Sequence, residues 1–308
     1  MTLIDVNRSL ETEDLCRELL KRLRWPFGVR CLRCKSHAVF ELATQKKFEC
    51  SECHYQFSIT TQTIFHDTHL PLETWFLAVL LLLEARKRMS AKQVQRTLRV
   101  SYKTAWYLCH RIRRAIARAD RPMLHRTVQM QDTYVRGKTR GKRRPATLGD
   151  DEIRISIHPP GGGVLWFRAE DVQSGRLAKY IRESISADVE VIVGDGGGAY
   201  PHGVADRKHE RVNDRDEYVR LPSDSHQRNT AEGAVSPLKL DSVGNSHKRI
   251  RAKHVPAYLA QTIFGFNRRN LQTRFLDTLR HMVTADPLTF KELTQRSFPG
   301  RSATTQRV

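Results

Sequence analysis

Two CxxC pairs near the N-terminus, a run of apolar and amphipathic helical segments behind them, and a strand-rich second half together predict a multidomain chain. Its parts are a small metal-binding ribbon, a helical region of helix-turn-helix character, and an α/β domain. The boundaries fall at residues 1–60 for an N-terminal helix plus the ribbon, 61–122 for the helical region, 123–270 for the α/β domain, and 271–308 for a C-terminal helix and tail.

Composition limits the partners. The 308 residues carry 53 lysines and arginines against 33 acids, a net charge of +20 with a pI near 10.1. An excess of this size, spread along the whole chain, points to a polyanion, because each cation that meets a phosphate releases a condensed counterion. DNA is the expected partner. An anionic membrane would call for a basic amphipathic helix or a lipid signal, and the sequence offers neither. The longest apolar run, Phe76 to Leu83, is far short of the roughly 20 residues that cross a bilayer. The opening MTLIDVNRSLETED has no apolar core of signal-peptide length. A cytoplasmic, nucleoid-associated protein is expected, and in that reducing setting paired cysteines mean metal or catalysis rather than disulfides.

Residues 9–24 set Leu15, Leu19, Leu20 and Leu23 on one helical face, and Trp25-Pro26 ends the helix. Cys31-x2-Cys34, fifteen residues, then Cys50-x2-Cys53 is the spacing of a four-cysteine zinc site, in which two tight turns each hand two thiolates to one tetrahedral Zn²⁺. Ala38 to Leu42 and Lys47 to Glu49 alternate like the short strands of a hairpin between them. A ribbon this small depends on its metal to fold. His37 and His54 are expected to be exposed loop residues, and Cys16 and Cys109, in helical patterns, buried thiols.

Pro71 opens a strongly apolar helix from Glu73 to Arg88. Ser90 caps a short helix, Ala91 to Leu98; Val100-Ser101 turns the chain; a second helix runs from Tyr102 to about Ala119. Val94, Leu98, Ala105, Leu108, Ile112 and Ile116 fall inward, which is helix-turn-helix patterning. Lys103, Arg111, Arg113, Arg114 and Arg118 then face outward, and the second helix would enter a major groove. A plain helical linker with a solvated basic face gives the same pattern.

Beyond 122 the texture turns to strands: Thr127 to Tyr134, Glu152 to Ile157 and Val164 to Ala169. Ser174 to Ile185 is a helix, and Val189 to Val193 is an apolar strand that runs into Asp195. The basic stretch Arg136 to Arg144 is either a phosphate-binding arm or a disordered loop. A long polar loop leads to helices near 230–240 and from Val255 to Asn267, and the tail from about 296 has a disordered composition. Strand, strand, strand, helix, strand, helix is the order of a ribonuclease H-like α/β domain.

Asp195 stands at the C-terminal end of its strand, the edge where ligands of open α/β sheets sit. Glu232 and Lys239 are seven residues apart, so two helical turns put both on one face, a carboxylate for a divalent cation and a lysine for a phosphate. Taken singly, Asp195 before glycine is a turn former and the Glu232–Lys239 pair a solvated helix face. Only the constellation suggests phosphodiester chemistry.

Several segments carry a family pattern: Arg24-Trp-Pro-Phe-Gly-Val-Arg-Cys-Leu-Arg-Cys34, Lys47-Phe-Glu-Cys-Ser-Glu-Cys53, Thr63-Ile-Phe65, Leu70-Pro-Leu72 and Trp75. It continues through Asp132-Thr-Tyr-Val-Arg-Gly-Lys138, Val193-Gly-Asp-Gly196, Asn229-Thr-Ala-Glu-Gly233, Ser236-Pro-Leu-Lys239 and Lys253-His254. Over roughly residues 12–270, and in the same order, the chain resembles the zinc-ribbon DDE transposases of bacterial insertion sequences, the group related to eukaryotic Merlin elements. The resemblance implies a ribonuclease H-like core that uses two Mg²⁺ or Mn²⁺ ions to cut element ends and join the freed 3′ hydroxyl to target DNA. It also implies a homo-oligomer working on the element's terminal repeats. Asp195 takes the second catalytic acid and Glu232 the third, with Asn229 three residues before it and Lys239 at the family's acid-to-lysine spacing.

The first acid departs. The family's Val-Glu-x-Asp-Glu-Thr-Tyr reads Val128-Gln-Met-Gln-Asp-Thr-Tyr134 here, so Gln131 stands at the catalytic Asp and Asp132 at its Glu neighbour. One residue along a strand is the opposite face, so Asp132 substitutes only if a bulge re-aims it. An amide is also a weaker Mg²⁺ ligand than a carboxylate. Gln227, Val235 and Asp214 depart from the pattern as well. The leading expectation is a transposase with impaired chemistry. Beside it stand a non-catalytic zinc-ribbon DNA-binding protein descended from a transposase, and a nuclease of the same fold.

Overall fold

Helix α1, Glu13–Arg24, starts at Thr12, whose hydroxyl accepts the Leu15 N–H at 3.3 Å, and its apolar face buries Cys16, Leu19 and Leu20. The computed structural model describes residues 12–84, 89–117, 127–134, 152–157, 164–168, 191–194, 208–211, 254–268 and 271–295. Behind α1 comes a three-stranded antiparallel sheet of β1 (Val39–Leu42), β2 (Lys47–Cys50) and β3 (Gln56–Phe57), in that order. The β1–β2 hairpin turns through Ala43–Gln45 with Lys46 in the left-handed region at φ 52°. Trp25 meets Phe48 and Phe57 edge-on at 5.5 and 6.0 Å, a small aromatic core for a sheet too small to make one alone. Ion pairs Lys46–Asp14 and Lys21–Glu41, both 2.6 Å, tie α1 to the hairpin, and Arg24 donates to the Ile59 and Thr61 carbonyls.

Helix α2, Leu72–Glu84, is apolar along most of its length and buries Trp75, Phe76, Ala78, Val79, Leu82 and Leu83. Helix α3, Ala91–Leu98, opens on a capping box: the Ser90 hydroxyl accepts the Gln93 N–H at 3.2 Å and the Gln93 amide oxygen accepts the Ser90 N–H at 2.8 Å. Arg99 ends α3 at φ 54°, its own N–H and that of Val100 both donating to the Gln95 carbonyl. Helix α4, Tyr102–Ala117, restarts just beyond, with Ala105, Leu108, Ile112 and Ile116 buried.

The C-terminal part completes this core. Helix α5 spans Val255–Asn267, α6 Leu271–Thr284 and α7 Phe290–Thr294. Phe275, Leu279 and Met282 of α6 are buried where α1, α2 and α4 converge. Phe275 lies edge-on to Phe76 at 5.8 Å, and the Met282 carbonyl accepts the Ile64 N–H at 3.1 Å.

Between α4 and α5 the chain builds a five-stranded sheet of β4 (Thr127–Tyr134), β5 (Glu152–Ile157), β6 (Val164–Arg168), β7 (Val191–Gly194) and β8 (Lys208–Arg211). Its order is β6-β5-β4-β7-β8, antiparallel from β4 through β6 and parallel from β4 through β8. Helix α5 packs against both β6 and α4, so it fastens the sheet to the helical core. The first four strands fall where the sequence expects them, and residues 189 and 190, where the fourth is expected to begin, lie outside the described residues. β8 lies in the stretch read as a polar loop. Lys-His-Glu-Arg has no apolar alternation to announce it. The helices expected at 174–185 and near 230–240, the basic stretch 136–144 and the tail from 296 lie outside the described residues.

Because α6 closes a core begun two hundred or so residues earlier in the chain, Phe275→Ala is expected to lower stability by about 3–5 kcal/mol in denaturant unfolding. Deleting residues 271–308 should abolish the cooperative transition of the N-terminal helices. A truncated chain that still melts cooperatively would refute this packing.

Candidate metal centre and nucleic-acid surface

Both cysteine pairs sit in turns of the same build. The Lys35 N–H donates to the Cys31 carbonyl at 3.1 Å and the His54 N–H to the Cys50 carbonyl at 2.9 Å, with Lys35 at φ 65° and His54 at φ 55°. Each turn is closed from outside, Cys31 N–H donating to the Ser36 carbonyl and Cys50 N–H to the Tyr55 carbonyl. The fourth residue after each leading cysteine thus takes a left-handed conformation that folds the chain back and presents two thiols together. Cys31 Sγ lies 3.5 Å from Cys53 Sγ and Cys34 Sγ 3.4 Å from Cys50 Sγ, and all four sulfurs lie within 4.8 Å of one another. A tetrahedral zinc with Zn–S near 2.3 Å spaces its sulfurs by about 3.8 Å. The cluster fits that ion with small adjustments, and an all-thiolate set is that of a closed structural site rather than one open to substrate.

The electrostatics agree. Burial pushes the Cys31 thiol up, but the N–H groups of Cys34 and Arg33 and the Cys53 thiol outweigh it and draw it down to about 6. For Cys34 the Ser36 N–H favours the thiolate, yet burial and the neighbouring thiols push it up to about 12. Four sulfurs this close cannot all ionise against one another, and a soft dication removes that conflict. His37 and His54 are exposed and stand outside the cluster. Cys16 and Cys109 are buried, and burial pushes both thiols up, Cys16 to about 12.

On α4 the structure corrects the reading of a basic outer face. Arg111 and Arg113, expected outward, are 4% and 1% exposed. Arg111 lies over the rings of Trp75 and Tyr107 at 5.0 and 5.2 Å and donates from Nη2 to the His66 carbonyl at 2.6 Å. Burial lowers its pKa. Arg113 lies 3.9 Å from the Tyr258 ring centre and donates from Nε to Gln261 at 2.8 Å, and Gln261 donates in turn to the Leu82 carbonyl at 3.1 Å. The physical reason is that α2, α3, α5 and α6 surround α4, leaving no room for a long solvated stripe. A guanidinium tolerates such a place when its plane stacks on aromatic rings and its N–H groups find acceptors. Lys103 is exposed, with Nζ 4.6 Å over the Phe290 ring, and half-exposed Arg114 faces Glu292 at 3.6 Å. Arg118 lies outside the described residues.

In the sheet, Gln131 and Asp132 take successive register positions on β4, opposite Ile155 and Arg154 of β5. The pairing runs one to one from Gln129 to Tyr134 without a bulge. Met130 pairs with Gly194, the last residue of β7. Asp195, Asn229, Glu232 and Lys239 lie outside the described residues.

Residues 11–56 match the family model of the transposase zinc-ribbon domain, and residues 123–267 that of the ISXO2-like transposase domain. The chain belongs to the zinc-ribbon DDE transposases of insertion sequences. Over 140 residues it is 31% identical to a Halobacterium salinarum protein described as an uncharacterized protein in transposable element ISH50. That match covers 44% of this chain and 47% of the relative, so the chain spans about half the relative's length. In this transposase-family chain the ribbon match takes in most of α1 to β3, and the second match ends with α5. Helices α2, α3 and α4 lie between the two matches. Among the described residues no helix is long and apolar enough to cross a membrane.

Sequence reasoning missed Lys35 and His54 as the left-handed hinges of the two turns. Their signal is positional, since each follows its CxxC directly. It also missed Trp75, Tyr258 and Gln261 as the seats of buried arginines, and no local pattern announces such long-range partners.

Chelation, or Cys31→Ser, is expected to remove about one zinc per chain by elemental analysis and to erase amide-exchange protection over β1 to β3. A zinc-free chain with that protection intact would defeat the metal centre. Arg113→Ala should lower stability by about 2–3 kcal/mol by stranding Gln261 in the core, without weakening DNA binding by the folded fraction. Lost affinity at unchanged stability would restore Arg113 to the DNA surface.

Proposed function

We propose that this chain is an insertion-sequence transposase that binds the ends of a DNA element and carries a ribonuclease H-like strand-transfer site weakened at its first acid. The sheet order β6-β5-β4-β7-β8 carries the reading. It sets β4 at the centre, with an antiparallel neighbour on one side and a parallel one on the other. Ligands of open α/β sheets gather at the carboxyl ends of such parallel strands. Met130 and Gly194 form the last pair of the β4–β7 ladder, at the carboxyl end of β7 and midway along β4, and the next residues in the chain are Gln131 and Asp195.

Asp195 and Glu232 are the carboxylates that would hold Mg²⁺ or Mn²⁺, Lys239 would meet a phosphate, and Asn229 would support Glu232 from one turn before it. The ions, when bound, stabilise the attacking and leaving oxygens of a phosphodiester. Gln131 supplies an amide in place of a third carboxylate and so lowers the negative charge available to hold them. The unbroken register of β4 supports reading Asp132 as no replacement, since successive positions belong to opposite faces. Two element ends require two sites, which favours a homo-oligomer on DNA. The paired helices α3 and α4 support a helix-turn-helix reading of the region between ribbon and sheet. Such a protein works in the cytoplasm, at the nucleoid.

The second reading, a zinc-ribbon DNA-binding protein without catalysis, is favoured by Gln131 itself. A strand-transfer assay with Mn²⁺ on a labelled terminal-repeat duplex separates the two. Weak product is expected from the wild type, none from Asp195→Ala, and at least about tenfold more from Gln131→Asp, a barrier change of about 1.4 kcal/mol. Undiminished product from Asp195→Ala would sink the site assignment. No product from Gln131→Asp, with binding retained, would leave the non-catalytic reading.

A further inference from the structure

We infer that the chain grips duplex DNA with the turn between α3 and α4 and the first turn of α4, through Arg96, Arg99, Tyr102 and Lys103, rather than along the length of α4. This rests on the proposed DNA-acting function and names the surface that serves it.

The burial of α4 forces the choice. From Leu108 to Ile116 every residue except Arg114 is buried, and Arg114 is engaged by Glu292 of α7. That stretch has no open face to lay in a groove. The opposite end is open: Arg96, Arg99 and Lys103 are exposed, and Tyr102 is 52% exposed, one of five exposed large hydrophobic side chains among the described residues. Arg99 holds the left-handed corner at φ 54° that brings the end of α3 beside the start of α4. The Ser101 hydroxyl accepts the Thr104 N–H at 3.1 Å, which fixes the first turn of α4.

Charge identifies the occupant. Residues 89–103 hold Lys92, Arg96, Arg99 and Lys103, all exposed, and no aspartate or glutamate. Arg96 and Arg99 make no ion pair with any described residue. Cations gathered without acids repel one another until a polyanion neutralises them. A second copy of this chain would set the same cations face to face, so Tyr102 is not the centre of a self-association patch. A helix end about 10–12 Å across matches a B-DNA major groove about 12 Å wide. In that arrangement Arg96, Arg99 and Lys103 meet phosphates, and Tyr102, in the first turn of the second helix, reaches a base edge.

The test uses the full zinc-loaded chain and a random-sequence duplex, followed by fluorescence anisotropy over a range of salt. Arg96→Ala combined with Arg99→Ala should weaken binding at least about tenfold at low salt and flatten the slope of log K against log salt by about 1.8, two contacts at about 0.9 each. Tyr102→Ala should leave that slope unchanged while relaxing the sequences recovered from a random pool. Arg280→Ala, an exposed cation on α6, should change neither. All four residues are exposed, so melting temperatures should match the wild type and exclude misfolding as the cause. Unchanged affinity and slope in the double variant would overturn the inference. So would wild-type chain that fails to bind duplex, single-stranded DNA competing as well as duplex, or variants that alter sedimentation instead of binding. A chain that binds through this surface yet joins no DNA would defeat the proposed chemistry alone. Normal strand transfer by the double variant would defeat this inference alone.

Discussion

Phe275 of α6 lies edge-on to Phe76 in a core that the C-terminal helices, with Phe264, Leu279, Met282 and Val283, share with the first 117 residues, and this closure governs how the rest of the chain is arranged. Helix α6 touches α1, α2 and α4, and the backbone of Met282 is hydrogen-bonded to that of Ile64. The sheet from β4 to β8 is therefore an insertion whose two ends, α4 and α5, are both pinned in the same helical core. Closing so long a loop costs only a little more entropy than closing a short one, since the cost grows with the logarithm of length. What it requires is that α5 and α6 bury enough surface to hold the return. Gln261 of α5 does this with polar groups as well, linking Arg113 of α4 to the Leu82 carbonyl of α2.

That linkage explains why a net charge of +20 overstates the charge available to a partner. Arg111 and Arg113 are interior residues whose guanidinium groups stack on Trp75, Tyr107 and Tyr258. Half-buried Arg274 likewise donates to a backbone carbonyl, that of Leu83 at the end of α2, at 3.2 Å. In each case a planar cation satisfies a carbonyl or amide that the helices would otherwise leave buried and unpaired. Composition counts these side chains as solvent-facing charge. The whole-chain expectation of a polyanionic partner does not depend on these side chains, but Arg111 and Arg113 are too buried to serve it.

The features legible in sequence are those whose determinants are local. Two CxxC turns, a Ser90 cap with Gln93 three residues on, and the alternation of Glu152 to Ile157 each carry their conformation within a few residues. Strand β8 was illegible because pairing with β7 comes from the neighbouring backbone and Lys-His-Glu-Arg has no apolar face to show it. Arg111 and Arg113 depart from the expected outward face for the complementary reason. A helical wheel separates apolar from polar positions, and it cannot report that Tyr258 and Gln261, some 150 residues away, supply polar seats on the apolar side. The C-terminal segment, read as a helix and tail, likewise gives no local sign that its apolar face is the missing wall of the first core.

The proposed catalytic site differs from the ribbon in how its chemistry is coupled to folding. At Cys31, Cys34, Cys50 and Cys53 metal binding and folding are one event, because the strands behind the turns are too few to persist without it. Loss of one thiolate there would be felt as loss of structure. The register of β4 between β5 and β7 is held instead by backbone pairing over six and four residue pairs, and that pairing is indifferent to whether position 131 carries a carboxylate or an amide. Clustered carboxylates repel one another until a cation arrives, so an amide at one of them relieves the metal-free fold while weakening its hold on the metal. A chain can therefore keep its ribbon, its helical core and its sheet intact while its strand-transfer chemistry fades. For this family member an intact fold is no argument for intact catalysis, and under the proposed site position 131 is where the two would part.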